Sequence, residues 1–291
     1  MIEIRPAQPQ DIPRQQELWG LAFGDESAYI RYFYDHKDLS QVLVLLEDNV
    51  VWTMGALFPV TLSIPGGQTA PAAYIYALAT HPDARKRGFG RFLLNYIDFY
   101  LQEKGVACST IVPSEPSLHR FFATAGLTEC FSLRKAELLP GMIGAPDPKD
   151  RLDTVTPAEY ARIREDRLAG SLHISYGTGL IAYQQGLSQM AQADLYRLTV
   201  GGETGVAAVE YLDEESILVK ELLLPPSAMA GGASLLAAAL PARRYHFRTP
   251  PCWDGPPGSY LQAYAMVKWY DPALEKECRD QRRGYLGLGF D

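Results

Sequence analysis

Residues 73–104 constrain this chain more than any other stretch. Ala73–Thr80 reads as a strand, and Arg85-Lys86-Arg87-Gly88-Phe89-Gly90-Arg91 is a basic turn holding two glycines. An amphipathic helix follows, because Leu93, Tyr96, Ile97, Tyr100 and Leu101 recur at the spacing that gathers side chains on one helix face. Small residues two apart at the mouth of a helix leave backbone N–H groups uncovered. Those donors, the positive end of the helix dipole, three arginines and a lysine together make a candidate anion site. A solvated charged turn ahead of an ordinary helix has the same pattern.

A chain of 291 residues exceeds one ordinary core, so two domains are expected. At 47% hydrophobic and 21% charged, the composition is that of a soluble globular protein. A formal net charge of −7 provides no basic field for nucleic acid, which makes the cluster at 85–91 a local exception. Such a balance tolerates cationic or neutral small substrates better than anionic ones. Cys108, Cys130, Cys252 and Cys278 have neither CxxC pairing nor histidines at zinc spacing, so reduced thiols and no metal site are expected. The first residues show no secretory pattern, and no apolar run approaches the ~18 residues of a membrane span. The expectation is a cytoplasmic protein with no membrane partner.

Taken in order, Ile2–Arg5 reads as a short strand, followed by helices opened at Pro9 and Asp11 and running again through Tyr29–Phe33. Val42–Glu47 and Val50–Pro59 read as strands joined by a tight turn at Glu47-Asp48-Asn49. After the stretch at 73–104, Gly105 ends the helix, Val106–Val112 is a strand, Ser117–Ala125 a short helix, and Leu127–Leu139 one or two closing strands. The order β-α-α-β-β-β-α-β-α-β implies a mixed sheet with helices on its faces, in the α/β (α+β) class. Residues 141–150, rich in Pro, Gly and Asp, are the linker candidate between domains at 1–140 and 151–291.

The second half repeats this layout. At a shift of 144, Leu78–Pro82 overlays Leu222–Pro226 and Gly88 falls on Gly232. The charge does not carry over: Arg85, Lys86, Arg87 and Arg91 face Met229, Ala230, Gly231 and Leu235. If the halves are copies, only the first has kept an anion site. Two α/β units sharing strand-turn-helix spacing by chance is the competing account.

Three phosphate-binding devices fit a glycine turn before a helix. A P-loop needs Lys-Ser/Thr after its glycines, which is lacking here. A dinucleotide fingerprint needs a third glycine where this chain has Leu93. The third device is the R/Q-x-x-G-x-G/A turn, present as Arg85-Lys86-Arg87-Gly88-Phe89-Gly90. With AAYIYALATHPDARKRGFGRFLLNYI and the element order above, the first half resembles the GCN5-related N-acetyltransferases (GNAT). The layout as a whole is similar to the tandem bacterial members of the enhanced-intracellular-survival type, without room for their sterol-carrier-like domain. The resemblance implies two tandem GNAT-like domains, the second degenerate, and acetyl-CoA as the cofactor.

What the resemblance implies for individual residues is specific. The strand end Leu78, Ala79 and Thr80 would meet the pantetheine arm through its backbone. The turn Arg85, Lys86, Arg87, Gly88, Phe89, Gly90 and Arg91 would hold the pyrophosphate, with Gly88 and Gly90 needed because a Cβ would crowd phosphate oxygens. Asp25 and Glu26 sit in a segment that borders the acceptor pocket in this family and would attract a cationic amine; an ordinary solvated loop is the competing account. Tyr76 shares a strand face with Tyr74 and Leu78. Tyr74 stands where some members place a glutamate base, Glu115 belongs to a Ser-Glu pair that either caps the next helix or serves the site, and Asp291 is the chain end that one tandem type uses as base.

One position departs from the family pattern. The tyrosine that protonates the departing thiolate is replaced in Phe121-Phe122-Ala123-Thr124-Ala125-Gly126 by Phe122, which has no proton to give. Water can supply the proton to a thiolate of ordinary basicity. The resulting expectation is an acetyl-CoA-dependent N-acyltransferase acting on a small-molecule, peptide or protein amine by direct attack. The alternative is an acyl-CoA-binding regulatory module with little or no catalysis. Exposed sheet edges leave room for a homo-oligomer.

Overall fold

The computed structural model describes residues 1–256, 258–278 and 283–290. The chain forms two compact units that are not made by a single cut. The first contains Met1–Thr61, Ala70–Glu129 and a stretch beginning at Ala265; the second contains Leu62–Thr69, Cys130–Tyr264 and a terminal stretch that includes Tyr285 and Phe290.

In the first unit, β1 (Ile2–Pro6), β2 (Gln41–Glu47), β3 (Val50–Ser63), β4 (Thr69–Thr80) and β5 (Cys108–Ile111) lie side by side in that order. Strand β13 (Tyr260–Trp269) follows, pairing antiparallel with β5 from Met266↔Ile111 to Trp269↔Cys108. Strand β3 runs four residues beyond the expected Pro59. Helices α1 (Ile12–Phe23), α2 (Ser27–Asp35), α3 (Phe89–Glu103) and α4 (Pro116–Thr124) complete this unit with the short α8 (Pro272–Cys278). The predicted face of α3 is the buried one: Leu93, Ile97 and Leu101 pack with Leu43, Ile75, Phe122 and Met266, and Tyr96 and Tyr100 flank them half-buried. Lys268 ties the late strand to α3, its Nζ lying 2.5 Å from Asp98 Oδ2 and 2.7 Å from the Ala125 carbonyl. The Tyr270 hydroxyl donates to Asp98 Oδ1 at 2.8 Å.

In the second unit the order is β6 (Thr128–Leu138), β12 (Arg244–Thr249), β11 (Ser216–Leu223), β10 (Glu203–Tyr211), β9 (Leu195–Val200) and β7 (Arg151–Thr154). Helices α5 (Pro157–Leu168), α6 (Thr178–Met190) and α7 (Met229–Ala239) accompany it. Thr156 starts α5 by accepting a hydrogen bond from the Glu159 N–H, the cap that a Thr-Pro-x-Glu sequence encodes. A three-residue strand, β8 (His173–Ser175), lies outside the predicted set, as does α8.

The two units repeat one register. Strands β4 and β5 pair in parallel from Ala72↔Cys108 to Ile75↔Ile111, and β11 and β12 from Ser216↔Arg244 to Val219↔Phe247. Ala72 to Ser216 and Ile75 to Val219 are the shift of 144 read from the sequence. Single 3-10 turns follow at Pro82–Ala84 and Pro226–Ala228 at the same shift. There the copies part. In the second unit α7 begins at once at Met229, so the turn 85–88 has no counterpart. Gly232 therefore sits inside a helix, where a Cβ would come within 2.5 Å of Leu224 Cδ1. It serves packing.

The second unit also buries charge. Arg164 and Glu221 are each fully buried and joined by Nε to both carboxylate oxygens at 2.9 Å. Glu165 lies beside them, 3.0 Å from His173 Nε2, and accepts from the Ser175 hydroxyl at 2.6 Å. Burial pushes the Glu165 carboxyl up, but the His173 hydrogen bond, the Arg164 charge and the Ser175 hydroxyl outweigh it and bring it to about 2. A carboxyl held below its ordinary value of 4.5 stabilises the fold above that pH, and the contribution is lost as pH falls toward 2. Its side chain is 40% exposed, so solvent screening limits the effect to about 1 kcal/mol. Urea unfolding should show Glu165→Gln less stable than the wild type by about that amount at pH 6, with the gap narrowing below pH 4.5 and closing toward pH 2.

Candidate active site

The site is built where β4 leaves β5. Their pairing ends at Ile75 and Ile111, yet β4 continues to Thr80, so its last five residues have an edge that β5 does not cover. Ala77 within this run adopts φ +48°, a conformation uncommon for a residue with a Cβ. Leu78, Ala79 and Thr80 thus lie on the opened strand end. The Thr80 hydroxyl is 3.2 Å from that of buried Thr53 on β3.

The basic turn follows the 3-10 turn Pro82–Ala84. Lys86 (φ +66°) and Gly88 (φ +84°) are both left-handed, and Gly88 is the residue that opens α3. Phe89, Gly90 and Arg91 form the first turn of α3, where N–H groups lack intrahelical acceptors. A Cβ on Gly90 would lie 3.4 Å from Thr80 Oγ1 and 3.8 Å from the Phe121 ring, so the turn, the strand end and α4 converge there.

The four cations divide by what they touch. Arg87 is committed to Glu47, with both carboxylate oxygens 2.7 Å from its Nη2, and its guanidinium lies 4.4 Å from the Phe89 ring centre. Arg91 donates to the Thr124 carbonyl and hydroxyl and faces the Phe121 ring. Arg85 and Lys86 are exposed, and their side chains have no hydrogen bond or ion pair among the described residues. They are the charges available to an anion. Uncovered N–H donors, a left-handed glycine and two free cations fit a pyrophosphate group.

Tyr74 and Tyr76 diverge in setting. Tyr74 is 2% exposed, its ring packed with those of Phe58 and Tyr76. The Tyr76 ring contacts Trp19, Phe33 and Phe58, and its hydroxyl is 2.6 Å from the Tyr29 hydroxyl. Asp25 is exposed and accepts from Trp19 Nε1 at 2.6 Å, while Glu26 is the exposed residue that precedes α2. Asp25, Tyr29 and Tyr76 are therefore gathered around one indole. Trp19 and Tyr29 were not among the predicted site residues; an indole N–H that must find an acceptor, with Asp25 six residues on, was the available signal.

Glu115 is the residue before α4, and its carboxylate accepts from the Ser117 hydroxyl at 2.8 Å rather than from a backbone N–H. Phe122 is 4% exposed in the apolar cluster with Leu93 and Ile97, and its neighbour Phe121 is the α4 aromatic that faces the turn. On α4, His119 Nδ1 lies 2.5 Å from Glu129 Oε1, a pair with no local sequence signal. Asp291 lies outside the described residues. No disulfide joins any of the four cysteines among the described residues. Among the described residues no cluster of His, Cys, Asp or Glu is placed to hold a metal ion, and no helix is long and apolar enough to cross a membrane.

Residues 3–123 match the family model of the acetyltransferase (GNAT) domain. No curated protein matches the chain. Among solved structures, a GCN5-related N-acetyltransferase from Kribbella flavida aligns over 93% of this chain and 71% of its own at 14% identity, with a TM-score of 0.70. Eis1 from Mycobacterium abscessus aligns over 92% and 74%, also at 14% identity, with a TM-score of 0.67. A tandem GNAT protein from the clavulanic acid biosynthesis pathway aligns over 92% and 98% at 14% identity, with a TM-score of 0.57. At such identities the likeness is one of fold. Residues 3–123 thus carry an acetyltransferase (GNAT) domain match, and the chain as a whole has the fold of the tandem GNAT proteins.

Proposed function

We propose that this chain moves an acetyl group from acetyl-CoA to a primary amine, using one cofactor site in the domain at residues 1–140. The carrying observation is the β4 edge, uncovered beyond Ile75, beside a Gly88-led helix start with Arg85 and Lys86 uncommitted. The region 151–291, in which the turn is replaced by helix, acts as a degenerate copy that shapes the protein around that site. Residues 141–150 join the two. Acetyl-CoA supplies an acyl thioester, whose C–S bond breaks as the acceptor nitrogen forms its C–N bond.

The chain's own residues supply binding and orientation. The backbone at Leu78–Thr80 aligns the pantetheine arm, and its N–H near Ala79 holds developing negative charge on the carbonyl oxygen. The turn from Arg85 to Arg91 holds the pyrophosphate, with Arg85 and Lys86 as direct charge partners and Arg87 and Arg91 keeping the turn in shape. Asp25 and Glu26 draw in a cationic amine. Tyr76, with Tyr29, orients it, and Tyr74 backs Tyr76 from the core. Proton removal falls to water or to a carboxylate, with Glu115 and Asp291 as the candidates. Phe122 leaves the thiolate to be protonated by solvent. A cytoplasmic enzyme, acting alone or as a homo-oligomer, suits this reading.

The test is calorimetry with acetyl-CoA, followed by thiol release over a panel of amines. Asp25→Asn should raise KM for a cationic amine by about tenfold while leaving acetyl-CoA affinity unchanged. Tyr76→Phe should lower kcat with KM for acetyl-CoA unmoved. Wild-type kinetics in both variants would remove the acceptor assignment. One observation favours a second reading, an acyl-CoA-binding module: Phe122 is sunk in the core and offers no hydroxyl. Acetyl-CoA binding without thiol release on any amine selects it.

A further inference from the structure

A cavity lies within the second unit. It has a volume of about 620 Å³, within the range of small-molecule sites, and opens where β11 and β12 part beside α7. Ile143, Leu222, Met229 and Phe247 form its apolar wall. This is the counterpart, at the shift of 144, of the opening between β4 and β5.

Its electrostatics are reversed. Among the described residues no Lys, Arg or His lines it, and three carboxylates do: Asp147, Asp150 and Asp254. Asp150 takes the place that an anion would occupy. Its Oδ1 accepts from the Gly201 N–H at 2.9 Å, and its Oδ2 lies 3.4 Å from where a Cβ on Gly231 would stand, in the first turn of α7. A bound phosphate there would meet this carboxylate instead of a basic turn. Asp254 is exposed and has no partner among the described residues. Thr249 lines the same cavity, is 3% exposed, and its hydroxyl finds no hydrogen-bond partner among the described residues. It shares a strand face with Phe247, so an orphaned polar group and an aromatic ring stand side by side in the cavity wall. A buried hydroxyl left unpaired marks a position for a ligand or water partner.

We propose that this cavity binds a small apolar molecule carrying a cationic amine, and that it excludes coenzyme A. The apolar wall takes the body of the ligand, Asp254 with Asp147 faces its ammonium group, and Thr249 offers a hydroxyl to a polar atom on the body.

The test uses the full chain and two probes of one shape and opposite charge, 1-naphthylmethylamine and 1-naphthoate, titrated by calorimetry at pH 7. The amine should bind one saturable site at least about tenfold more tightly than the carboxylate. Ala230→Trp, on an exposed cavity-lining position of α7, should abolish the saturable site. Met142→Arg, on another exposed lining position, should weaken the amine about tenfold and spare the carboxylate. Thermal melts accompany both variants, and Met142→Arg decides the matter should Ala230→Trp prove unstable. No saturable amine site, equal affinity for the two probes, or amine binding that survives Met142→Arg unchanged overturns the proposal.

Discussion

Replacing Gly88 with glutamate is expected to raise the dissociation constant for acetyl-CoA by about a hundredfold, or ~2.7 kcal/mol, read by calorimetry against the wild type. Two effects add. Gly88 sits at φ +84°, where a side chain costs about 1–2 kcal/mol. The new carboxylate also stands at the start of α3, where it competes with a phosphate for the same N–H groups and the same dipole. Gly88→Asn separates these effects, because asparagine tolerates the left-handed region and brings no charge. It should lose less than about tenfold. If Gly88→Glu binds acetyl-CoA as tightly as the wild type, the cofactor does not use this turn.

The parts of this site that were legible in the sequence are those with a local cause. The helix face of Leu93, Ile97 and Leu101 follows from periodicity, and the glycine turn ahead of it marks where the helix opens at Gly88. Phe122 announced the missing hydroxyl, and the shift of 144 anticipated the repeated register from Ala72 to Ile75. Ala77 was not legible, because its positive φ falls just past the end of the β5 pairing and alanine carries no sign of it. The division of basic side chains was equally hidden. Arg87 is taken by Glu47, forty residues earlier, and Arg91 by Thr124, so only Arg85 and Lys86 remain available. Strand β13 carried no signal of its placement either: its contacts with β5 and the reach of Lys268 to Asp98 span well over a hundred residues of chain. Local patterns report faces and turns, and they are silent on which distant segment completes a sheet.

The terminal glycine-rich segment makes the same point with a larger energy at stake. Tyr285, Leu286, Leu288 and Phe290 are buried, although their Gly-Leu-Gly setting reads as a loose end. Arg164 helps to hold them, its Nη2 donating to the Leu286 carbonyl at 3.2 Å and its Nη1 to that of Ile174 at 2.8 Å, while the Tyr176 hydroxyl donates to the carbonyls of Leu286 and Leu288. Gly287 fits because its φ is +73° and a Cβ would come within 3.0 Å of both Arg164 and Glu221. Arg164→Met should therefore cost about 3–5 kcal/mol in urea unfolding, since it strands the Glu221 carboxylate in the core as well as releasing two carbonyls. Burial already pushes that carboxyl up and Arg164 pulls it back, so removing Arg164 drives Glu221 toward its neutral form. Arg164→Met with Glu221→Leu should recover part of the loss, but not all of it, because the arginine's bonds to the carbonyls of Ile174 and Leu286 stay lost, and Leu286 keeps only the Tyr176 hydroxyl at 3.0 Å. Hydrogen exchange in the single variant should rise at Tyr285, whose N–H donates to Leu172, and at Ile174, whose N–H donates to Tyr285. A single variant as stable as the wild type would mean that packing of the four buried side chains, rather than the arginine, holds this segment.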